Sequence, residues 1–390
     1  MSADFDVIVV GGGPSGALAA YGAANAGLKV LILEKVSFPR VKPCAGGLTI
    51  KSLKALPFSV APVIHRVSTD ISFAFEYHDA RVLHGTGPVC AFVERGEFDQ
   101  FLLNKAIEAG AEIQVKTGIV SIDTDDSHVR VTFADGQKHS ALFLVGADGA
   151  NSTVRRLTSN ADWFSKGFAL EGLIFDQNLA DTEGMKINFS VVDKGYGWIF
   201  PKKDHINIGL YTTQQKGALA KKQLLEYAGN MVGDHIVENI VGFPIGLNGG
   251  NYKTNHHRIA LIGDAGGWAE PLFGEGLHNA ILSGVVAGEE IPKILLKGKN
   301  LSQTLDRRMA RARSDLALSH KLATKIYSVK SRTDNRSYPS FIRRIIKNNF
   351  MKGICTGKST ETIVKYFMLA PFWQNKTPRS LVEFFEQTKN

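Results

Sequence analysis

The pattern of apolar and polar positions at the start of the chain predicts a strand, a helix and a second strand. An apolar run at residues 6–10 leads into a glycine-rich turn, and an alanine-rich stretch with helical composition follows at residues 17–26. A second apolar run at residues 29–33 ends in the acidic Glu34. This order is typical of the unit from which parallel sheets with covering helices are built.

Strand-like runs dominate the middle of the chain, and helical patterns dominate its end. The shorter runs predict strands at residues 112–115, 120–123, 129–133 and 141–145, with further strands between residues 168 and 211. Helices are predicted at residues 94–109, 218–230 and 274–285. The prolines expected to interrupt the later helical pattern are Pro292, Pro339, Pro371 and Pro378.

The turn between the first strand and the first helix carries three glycines at the spacing G-x-G-x-x-G. Glycines let backbone N–H groups approach a pyrophosphate closely, and the helix N-terminus adds partial positive charge. Glu34 follows the third glycine by 18 residues, where a carboxylate accepts hydrogen bonds from ribose hydroxyls. The residues predicted to bind a dinucleotide are Gly11, Gly13, Pro14, Ser15, Gly16, Glu34 and Lys35.

A second glycine-rich element, far along the chain, indicates which dinucleotide is bound. The strand at residues 259–262 ends in a glycine followed by Asp264, and Gly274 and Gly276 open the next helix at Leu277. An NAD dehydrogenase has no need for this acid, whereas the ribityl hydroxyls of FAD need an acceptor. A helix N-terminus aimed at the flavin ring stabilises the negative charge of the reduced flavin. We therefore predict FAD, contacted by Asp264, Gly274, Gly276 and Leu277.

An aromatic strand is the candidate substrate site. On a strand, residues two apart share a face, so Tyr196, Trp198 and Phe200 are expected to point to the same side. A single aromatic wall suits a long apolar substrate, and Pro201 completes the candidate set. Ordinary packing in the core of a sheet is the alternative interpretation.

Several of these motifs together resemble a known group of flavoproteins. The motifs similar to the FAD-dependent oxidoreductases of the para-hydroxybenzoate hydroxylase fold are the first glycine turn, Glu34, Arg95-x-x-Phe98-Asp99, Asp148-Gly149 and Gly263-Asp264. Within that group, the turn at residues 42–48 and the aromatic run at residues 196–201 look like motifs of the geranylgeranyl reductase family. The similarity spans residues 1–295.

The resemblance places the turn with Cys44, Ala45 and Gly47 beside the flavin. Ala45 departs from the glycine that many relatives have after the cysteine. Two interpretations of Cys44 stay open. A small thiol is often inert and packs against its neighbours, in this case the flavin. Alternatively, Cys44 donates a proton or contacts the substrate, with Lys42 supplying nearby positive charge.

Two further cofactor contacts follow from the resemblance. Arg95, at the start of a predicted helix, is expected to reach the pyrophosphate, for which a guanidinium is well suited. The alternative is a salt bridge from Arg95 to Glu97 or Asp99. Ile119 is expected to contact the adenine through its backbone.

The resemblance implies an FAD-dependent reductase that saturates isolated C=C bonds of geranylgeranyl or other isoprenoid chains. Hydride is expected from N5 of the reduced flavin and a proton from Cys44, Tyr196 or an ordered water, with the aromatic wall holding the alkene at reacting distance. The catalytic candidates are Cys44, Tyr196 and Trp198. The expected substrate is a prenylated lipid, quinone or pigment precursor, and the electron donor is NADPH or a ferredoxin.

Two other classes of protein stay open from the sequence. One is a flavin-dependent monooxygenase, either a hydroxylase or a halogenase, acting on an aromatic or apolar substrate. Halogenases carry a Trp-x-Trp-x-Ile-Pro run, and here Tyr196 and Phe200 replace its first and fifth residues. The other is a protein that binds FAD or a prenyl lipid without catalysis.

Charge is distributed unevenly over the 390 residues. The whole chain carries +9, whereas residues 297–358 alone carry 16 Lys or Arg against three acids. Such a basic segment attracts an anionic membrane surface, although solvated helical faces are often charged too. No nucleic-acid motif accompanies it, so nucleic acid is not an expected partner. The first strand begins almost at once, so we expect no leader segment before it. The three scattered cysteines lack metal-ligand spacing, so no metal is expected. We expect a cytoplasmic protein, peripheral at a membrane surface.

The organisation predicted from these patterns is an α/β fold. Residues 1–60, 95–156 and 255–295 are expected to form a discontinuous, Rossmann-like FAD-binding domain. Residues 61–94 and 157–254 are expected to form an inserted β-sheet substrate domain. Residues 296–390 are expected to form a basic, mainly helical C-terminal tail.

Overall fold

The computed structural model describes residues 3–84, 87–214, 219–251, 256–297 and 301–327. The strands are β1 (Phe5–Val10), β2 (Val30–Glu34), β3 (Gly47–Thr49), β4 (Arg66–Ser68), β5 (Asp70–Phe75), β6 (His78–His84), β7 (Cys90–Phe92), β8 (Glu112–Val115), β9 (Ile119–Thr124), β10 (Val129–Phe133), β11 (Lys138–Gly146), β12 (Ser165–Ile174), β13 (Met185–Phe189), β14 (Gly195–Pro201), β15 (Ile206–Thr212), β16 (Glu238–Leu247) and β17 (Ile259–Leu261). The helices are α1 (Pro14–Asn25), α2 (Ile50–Ala55), α3 (Arg95–Glu108), α4 (Thr153–Thr158), α5 (Gln177–Thr182), α6 (Lys221–Val232), α7 (Leu277–Lys297) and α8 (Leu301–Tyr327).

The first sheet carries the glycine-rich turn at the end of β1. Its strands lie in the order β8-β2-β1-β11-β10-β9, and β17 also pairs with β11. Strands β8, β2, β1, β11 and β17 run parallel to one another, whereas β10 is antiparallel to both of its neighbours, β11 and β9. Apolar residues of α1, α3, α7 and α8 pack with these strands into one core, which is why β1 and β2 read as almost continuous apolar runs.

Helix α7 packs closely against α1. A Cβ atom built on Gly22 of α1 would lie 2.7 Å from Cα of Gly288 in α7. The two glycines therefore let the two backbones approach more closely than larger side chains would permit. This contact ties the helix that follows the second glycine-rich element to the helix that follows the first.

The second sheet is mostly antiparallel and lies beside the first. Its strands lie in the order β16-β12-β15-β14-β13-β5-β6, with β13 and β5 parallel to each other. Leu224 and Tyr227 of α6 pack on one of its faces. The other face carries most of the buried aromatic residues, among them Phe73, Tyr196 and Tyr211. A small third sheet, in the order β3-β7-β4, lies next in sequence to the Cys44 turn.

The predicted fold class is confirmed, and most predicted elements are present. The strands predicted at residues 112–115 and 129–133 are β8 and β10 with the same bounds. The prediction for Pro292 was wrong, because α7 continues through this residue to Lys297. Packing of α7 against α1 stabilises the helix beyond what local propensity provides. The other prolines named above, and Cys355, lie outside the described residues.

Helix α8 is the part of the basic C-terminal region that the structure describes. Met309 and Leu316 face the core, whereas Arg307 and Lys321 are exposed. Within the described ranges, no helix is long and apolar enough to cross a membrane.

Candidate functional site

The turn after β1 leaves the N-terminus of α1 open. Gly13 is the N-cap residue and Pro14 begins the helix, and no side chain caps the first N–H groups. A Cβ atom on Gly16 would overlap the carbonyl oxygen of Gly11, which itself has a φ of +104°. Both positions therefore require glycine, because an L side chain strains a positive φ and cannot share the space of a backbone oxygen.

Glu34 lies across this turn at the end of β2. Its Oε2 accepts a hydrogen bond from the Gly12 N–H at 2.7 Å, and its Oε1 accepts one from the Lys35 N–H at 2.8 Å. The carboxylate is buried against the turn, whereas the Lys35 side chain is exposed. Glu34 is thus fixed at the position where the sequence predicted a ribose acceptor.

The second glycine-rich element meets the first. A Cβ atom on Gly263 would lie 2.5 Å from Oγ of Ser15, so the two turns are in contact. Oδ1 of Asp264 lies 3.3 Å from the position that a Cβ on Gly276 would take, at the start of α7. Burial raises the pKa of Asp264, while the positive charges of Lys42 and Arg95 oppose that rise. Residues predicted from two distant parts of the sequence therefore share one cleft.

Arg95 is buried at the start of α3 and is held by an acid. Its Nε and Nη2 each donate to a carboxylate oxygen of Asp99 at 2.8 Å, and Arg40 lies 3.1 Å from the same carboxylate. The Arg95 side chain also interacts electrostatically with Cys44. Burial alone would lower the pKa of Arg95, but the Asp99 carboxylate and Cys44 raise it above its ordinary value. The salt bridge to Asp99 is present, and it leaves a permanent positive charge next to the thiol.

These features fit FAD. The first N–H groups of α1 have no side-chain cap, and a Cβ on Gly13 would meet only Arg40 Nη2 among nearby atoms, at 3.5 Å. A pyrophosphate suits such a helix end because its charge and its acceptor oxygens complement the unpaired donors. We predict that Glu34 and Asp264 accept hydrogen bonds from the ribose and ribityl hydroxyls. The chain thus offers donors to the phosphates and acceptors to the sugars.

The Cys44 turn presses against the second sheet. Gly46 has a φ of +67°, and a Cβ on it would lie 2.6 Å from Nζ of the buried Lys202. The Cys44 N–H donates to Oε1 of Glu171 at 2.9 Å, and the Gly46 N–H donates to Cys44 Sγ at 3.4 Å. These two hydrogen bonds fix the backbone of Cys44 and its half-buried thiol.

An apolar cavity of about 160 Å³ opens beside this turn. The Cys44 turn forms one side, the Gly274–Gly276 segment another, and the aromatic strand β14 a third. Its aromatic lining residues are Phe73, Tyr196, Trp198, Phe200, Tyr211, Phe243 and Phe273. The shape and lining suit an apolar chain inserted between the two glycine-rich turns.

The polar atoms of the aromatic wall are already engaged. The Tyr196 hydroxyl donates to the carbonyl oxygen of Phe273. Burial raises the pKa of Tyr196 well above its ordinary value. Nε1 of Trp198 donates to Oδ1 of Asn207 at 2.7 Å, and the Trp198 ring covers Gly209 of the next strand. The wall presents ring faces and edges to the cavity rather than hydrogen-bond donors.

The structure brings most of the predicted residues together. Those that line the one cavity are Cys44, Ala45, Gly47, Tyr196, Trp198, Phe200, Gly274, Gly276 and Leu277. Pro201 is not among the residues that line this cavity, and its contact with the substrate stays a prediction. It is buried at the end of β14 and follows Phe200 by one residue, so it belongs to the opposite face of the strand. Ile119 begins β9 at the far edge of the first sheet, and its adenine contact stays a prediction.

Sequence reasoning missed Glu171, Lys202 and Asn207. Each is buried and lies close to the Cys44 turn or the aromatic wall. Burial raises the pKa of Glu171 to about 7, although nearby Asn207, the hydrogen bond from the Cys44 N–H, and the charges of Lys202 and Lys42 act to lower it. The available signal was a single acid inside the otherwise apolar run that forms β12.

Comparison with known proteins agrees with this site. Residues 4–192 match the family described as FAD binding domain. The chain is 31% identical over 364 residues to the digeranylgeranylglycerophospholipid reductase of Methanocella arvoryzae, covering 86% of this chain and 90% of that relative. It is 22% identical to the crystal structure of a geranylgeranyl bacteriochlorophyll reductase-like protein from Thermoplasma acidophilum, with a TM-score of 0.73 over 93% of this chain and 95% of the other.

A halogenase also shares the fold. Halogenase PltM superposes with a TM-score of 0.72 at 17% identity, covering 94% of this chain and 83% of the other. At that identity the likeness concerns the fold alone.

The fold, the glycine-lined cleft and the matching domain define an FAD-dependent oxidoreductase, as predicted. Within that class, the chain belongs to the geranylgeranyl reductase family.

Proposed function

We propose that this enzyme saturates isolated C=C bonds in geranylgeranyl or related isoprenoid chains attached to a lipid, quinone or pigment precursor. The observation that carries the proposal is the apolar, aromatic-walled cavity that opens between the Cys44 turn and the Gly274–Gly276 turn. Reduced FAD supplies the hydride when it is bound. The protein's own residues hold the chain, exclude water and deliver the proton.

Cys44 is the proton donor in this proposal. The hydroxyl of Tyr196 is committed to Phe273 and the indole N–H of Trp198 to Asn207, so neither is aimed at a substrate. Cys44 lines the cavity, and the Arg95 guanidinium interacts electrostatically with it. A guanidinium in that position stabilises the thiolate that remains after the proton leaves.

The decisive experiment is anaerobic. The holoprotein is reduced with dithionite and mixed with a geranylgeranyl lipid, and flavin reoxidation and product mass are followed together. We expect a gain of two hydrogens for each flavin reoxidised. Flavin that stays reduced until air is admitted, followed by a hydroxylated or halogenated product, would support a monooxygenase instead. Tight lipid binding without any product would support a non-catalytic carrier.

The role of Cys44 is tested in the same assay with two variants. Cys44→Ser keeps a small polar side chain but holds its proton far more tightly, so product formation should fall by about 10²-fold or more. Tyr196→Phe keeps the ring and removes only the hydroxyl, so it should lose much less activity. FAD absorbance confirms that both variants remain loaded. The reverse ranking of the two variants would transfer the proton-donor role to Tyr196.

We also infer that the enzyme works at an anionic membrane surface, where a lipid substrate is available. The support is the basic segment at residues 297–358, of which Arg307 and Lys321 are exposed on α8. Co-sedimentation should be stronger with vesicles containing anionic lipid than with zwitterionic vesicles, and should weaken as salt is raised. Equal binding to both kinds of vesicle would remove the support from charge.

A further inference from the structure

Four titratable side chains meet beneath the Cys44 turn, and the proposed reaction does not yet use them. Glu171 extends from β12, Lys202 follows β14, His205 precedes β15, and Glu94 precedes α3. Lys202 Nζ lies 3.4 Å from Glu94 Oε1, and His205 Nε2 lies 3.6 Å from the same oxygen. The charge of Lys202 also acts on Glu171. Lys202, His205 and Glu94 therefore form one cluster, and Glu171 reaches the same turn through the N–H of Cys44.

Three of these side chains carry a buried polar atom with no hydrogen-bond partner among the described residues. The atoms are Oε2 of Glu171, Oε1 of Glu94 and Nε2 of His205. Glu171 is 5% exposed and His205 is 7% exposed. Glu94 Oε1 and His205 Nε2 face each other, and Lys202 pairs with the same Glu94 oxygen. Buried polar atoms in folded proteins are nearly always hydrogen-bonded, so Oε2 of Glu171 is the atom that calls for a functional explanation.

Glu171 is the acid that contacts Cys44, the residue with the reacting thiol. Its Oε1 accepts the N–H of Cys44 at 2.9 Å, so its carboxyl group lies beside the residue that would give up a proton. Ala169, two residues earlier on β12, lines the cavity, and alternation along the strand turns Glu171 to the same face. Burial raises the pKa of Glu171 to about 7, against the opposing charges of Lys202 and Lys42. A carboxyl group in that state both takes and releases a proton at neutral pH.

The opposite end of the cluster reaches solvent. The Glu94 side chain is 38% exposed, and Nδ1 of His205 lies 2.8 Å from the carboxylate of Asp204, which is 67% exposed. An imidazole can accept a proton at one ring nitrogen and donate one from the other. The groups therefore run from the surface to the Cys44 turn.

We propose that Glu171 resupplies the proton that Cys44 spends in each turnover, and that Glu171 is itself reprotonated from solvent. This inference rests on the proposed function, and it adds a proton route to it. In one cycle the thiol gives a proton to the alkene carbon and becomes a thiolate. The Glu171 carboxylic acid then gives a proton to the thiolate and becomes a carboxylate. A solvent proton restores the acid, so the proton transfers balance without any further oxidation or reduction.

The direct test uses Glu171→Gln, which keeps an oxygen acceptor for the Cys44 N–H but carries no acidic proton. Infrared difference spectra of the oxidised holoprotein are recorded as a function of pH. We expect a carboxylic-acid C=O band that titrates with a midpoint near pH 7 in the wild type and is absent in the variant. Glu270→Gln serves as the spectral reference, because burial also raises the pKa of Glu270 to about 7. A wild-type spectrum without a band assignable to Glu171 would overturn the proposal.

The kinetic test separates the first turnover from later ones. With enzyme in excess, each Cys44 gives up one proton and needs no resupply, so Glu171→Gln should form product at close to the wild-type rate. With substrate in excess and a continuous reductant, reprotonation is required and the variant should slow by about 10²-fold. The wild-type multiple-turnover rate should also fall as pH rises through about 7, because Glu171 loses its proton there, and the variant should lack this fall.

Controls keep the two proposals distinguishable. Glu183→Gln alters an acid that pairs with Lys186 and does not line the cavity, so it should retain the wild-type kinetics in both regimes. A wild-type enzyme that forms no saturated product would defeat the proposed function itself. A wild type that works while Glu171→Gln matches it in multiple turnover and in its pH profile would defeat only the proton route. Equal losses in single and multiple turnover would also defeat the route, because they would indicate a disturbed Cys44 turn.

Discussion

Two glutamates show how strongly the interior of this protein changes the chemistry of a single side chain. Burial raises the pKa of both Glu171 and Glu270 to about 7, from an ordinary value of 4.5. Glu171 accepts the Cys44 N–H, and Glu270 accepts the N–H groups of Leu272 and Phe273. These hydrogen bonds favour the charged form of each acid but do not offset the cost of desolvation.

This has a consequence for stability that can be measured. Between pH 4.5 and about 7 the unfolded chain releases protons that the folded protein keeps at Glu171 and Glu270. The stability these acids contribute is therefore complete below pH 4.5 and is lost as pH rises through about 7. Each acid accounts for on the order of 3 kcal/mol of that fall.

Urea unfolding of the holoprotein across this pH range checks the prediction. Glu171→Gln and Glu270→Gln should each flatten the decline, and should be more stable relative to the wild type at pH 8 than at pH 4. Glu108→Gln, on the exposed face of α3, should leave the pH dependence as it is. A decline that is equally steep in all four proteins would show that neither buried acid keeps its proton in the fold.

At the residue scale the sequence identified Cys44 but not Glu171, and the reason is physical. A cysteine in a glycine-rich turn is visible in the sequence because such turns approach ligands. The face of the sheet on which residue 171 lies depends on the pairing of β12 with β15 and β16. In that pairing its neighbour Leu170 packs in the core on the other face, beneath α6. That register is set by tertiary packing, so position 171 reads in sequence as one acid in an apolar strand.

At the scale of elements, the N-terminus of α1 is the predicted binding site of the FAD pyrophosphate. Gly13 has an extended φ of −69°, and a Cβ on it would meet Arg40 Nη2 at an ordinary 3.5 Å. We therefore expect the fold to accept a methyl group at this position, and a pyrophosphate bound at the helix end to be displaced by it. Gly16 differs, because its Cβ would overlap the Gly11 carbonyl oxygen and damage the turn itself.

We expect Gly13→Ala to weaken FAD binding by about tenfold or more, that is by about 1.4 kcal/mol. The stability of the FAD-free protein should change by less than about 1 kcal/mol, the usual range for an N-cap replacement. Fluorescence titration with FAD and thermal unfolding of the apoprotein measure the two effects. Gly229→Ala, in α6 with no atom within 4 Å of the added Cβ, is the matched control and should leave FAD affinity unchanged. Unaltered affinity in Gly13→Ala would show that the phosphates do not approach this turn.

Helices and strands were the most predictable level. The early βαβ unit follows from its apolar runs and glycines, and β8 and β10 were predicted with their observed bounds. Local rules failed at Pro292, because α7 is stabilised along its length by α1 and keeps its helical form. The small sheet of β3, β4 and β7 was also missed. Its strands are three residues long each, which is too short for an alternating pattern to be recognised.

At the scale of the whole molecule, the two large sheets contribute different parts of the site. The first sheet and its helices carry the cleft that fits FAD, and the second contributes the aromatic wall. We propose that these correspond to the FAD-binding and substrate domains expected from the sequence. If so, filling the cavity from the second sheet should block the substrate without disturbing the cofactor.

Ala169→Leu makes this test, because Ala169 is 1% exposed and lines the cavity from β12. We expect product formation from a geranylgeranyl lipid to fall and its KM to rise, while FAD affinity and flavin absorbance stay at wild-type values. The added methylenes should also cost about 1–3 kcal/mol of stability through overpacking. A control variant must therefore show whether a loss of activity comes from reduced stability or from the filled cavity.

Ala228→Leu supplies the separation. Ala228 is 2% exposed and lies in α6, where it packs in the core against the opposite face of the same sheet. It should lose comparable stability by the same overpacking but keep the cavity, the KM and the product yield. If both variants lost activity in proportion to their stability, the aromatic cavity would be ordinary core and the substrate would bind elsewhere. Loss confined to Ala169→Leu would instead mean that the face of β12 next to Cys44 determines which chains enter, since Ala228 packs on the other face of that sheet and does not line the cavity.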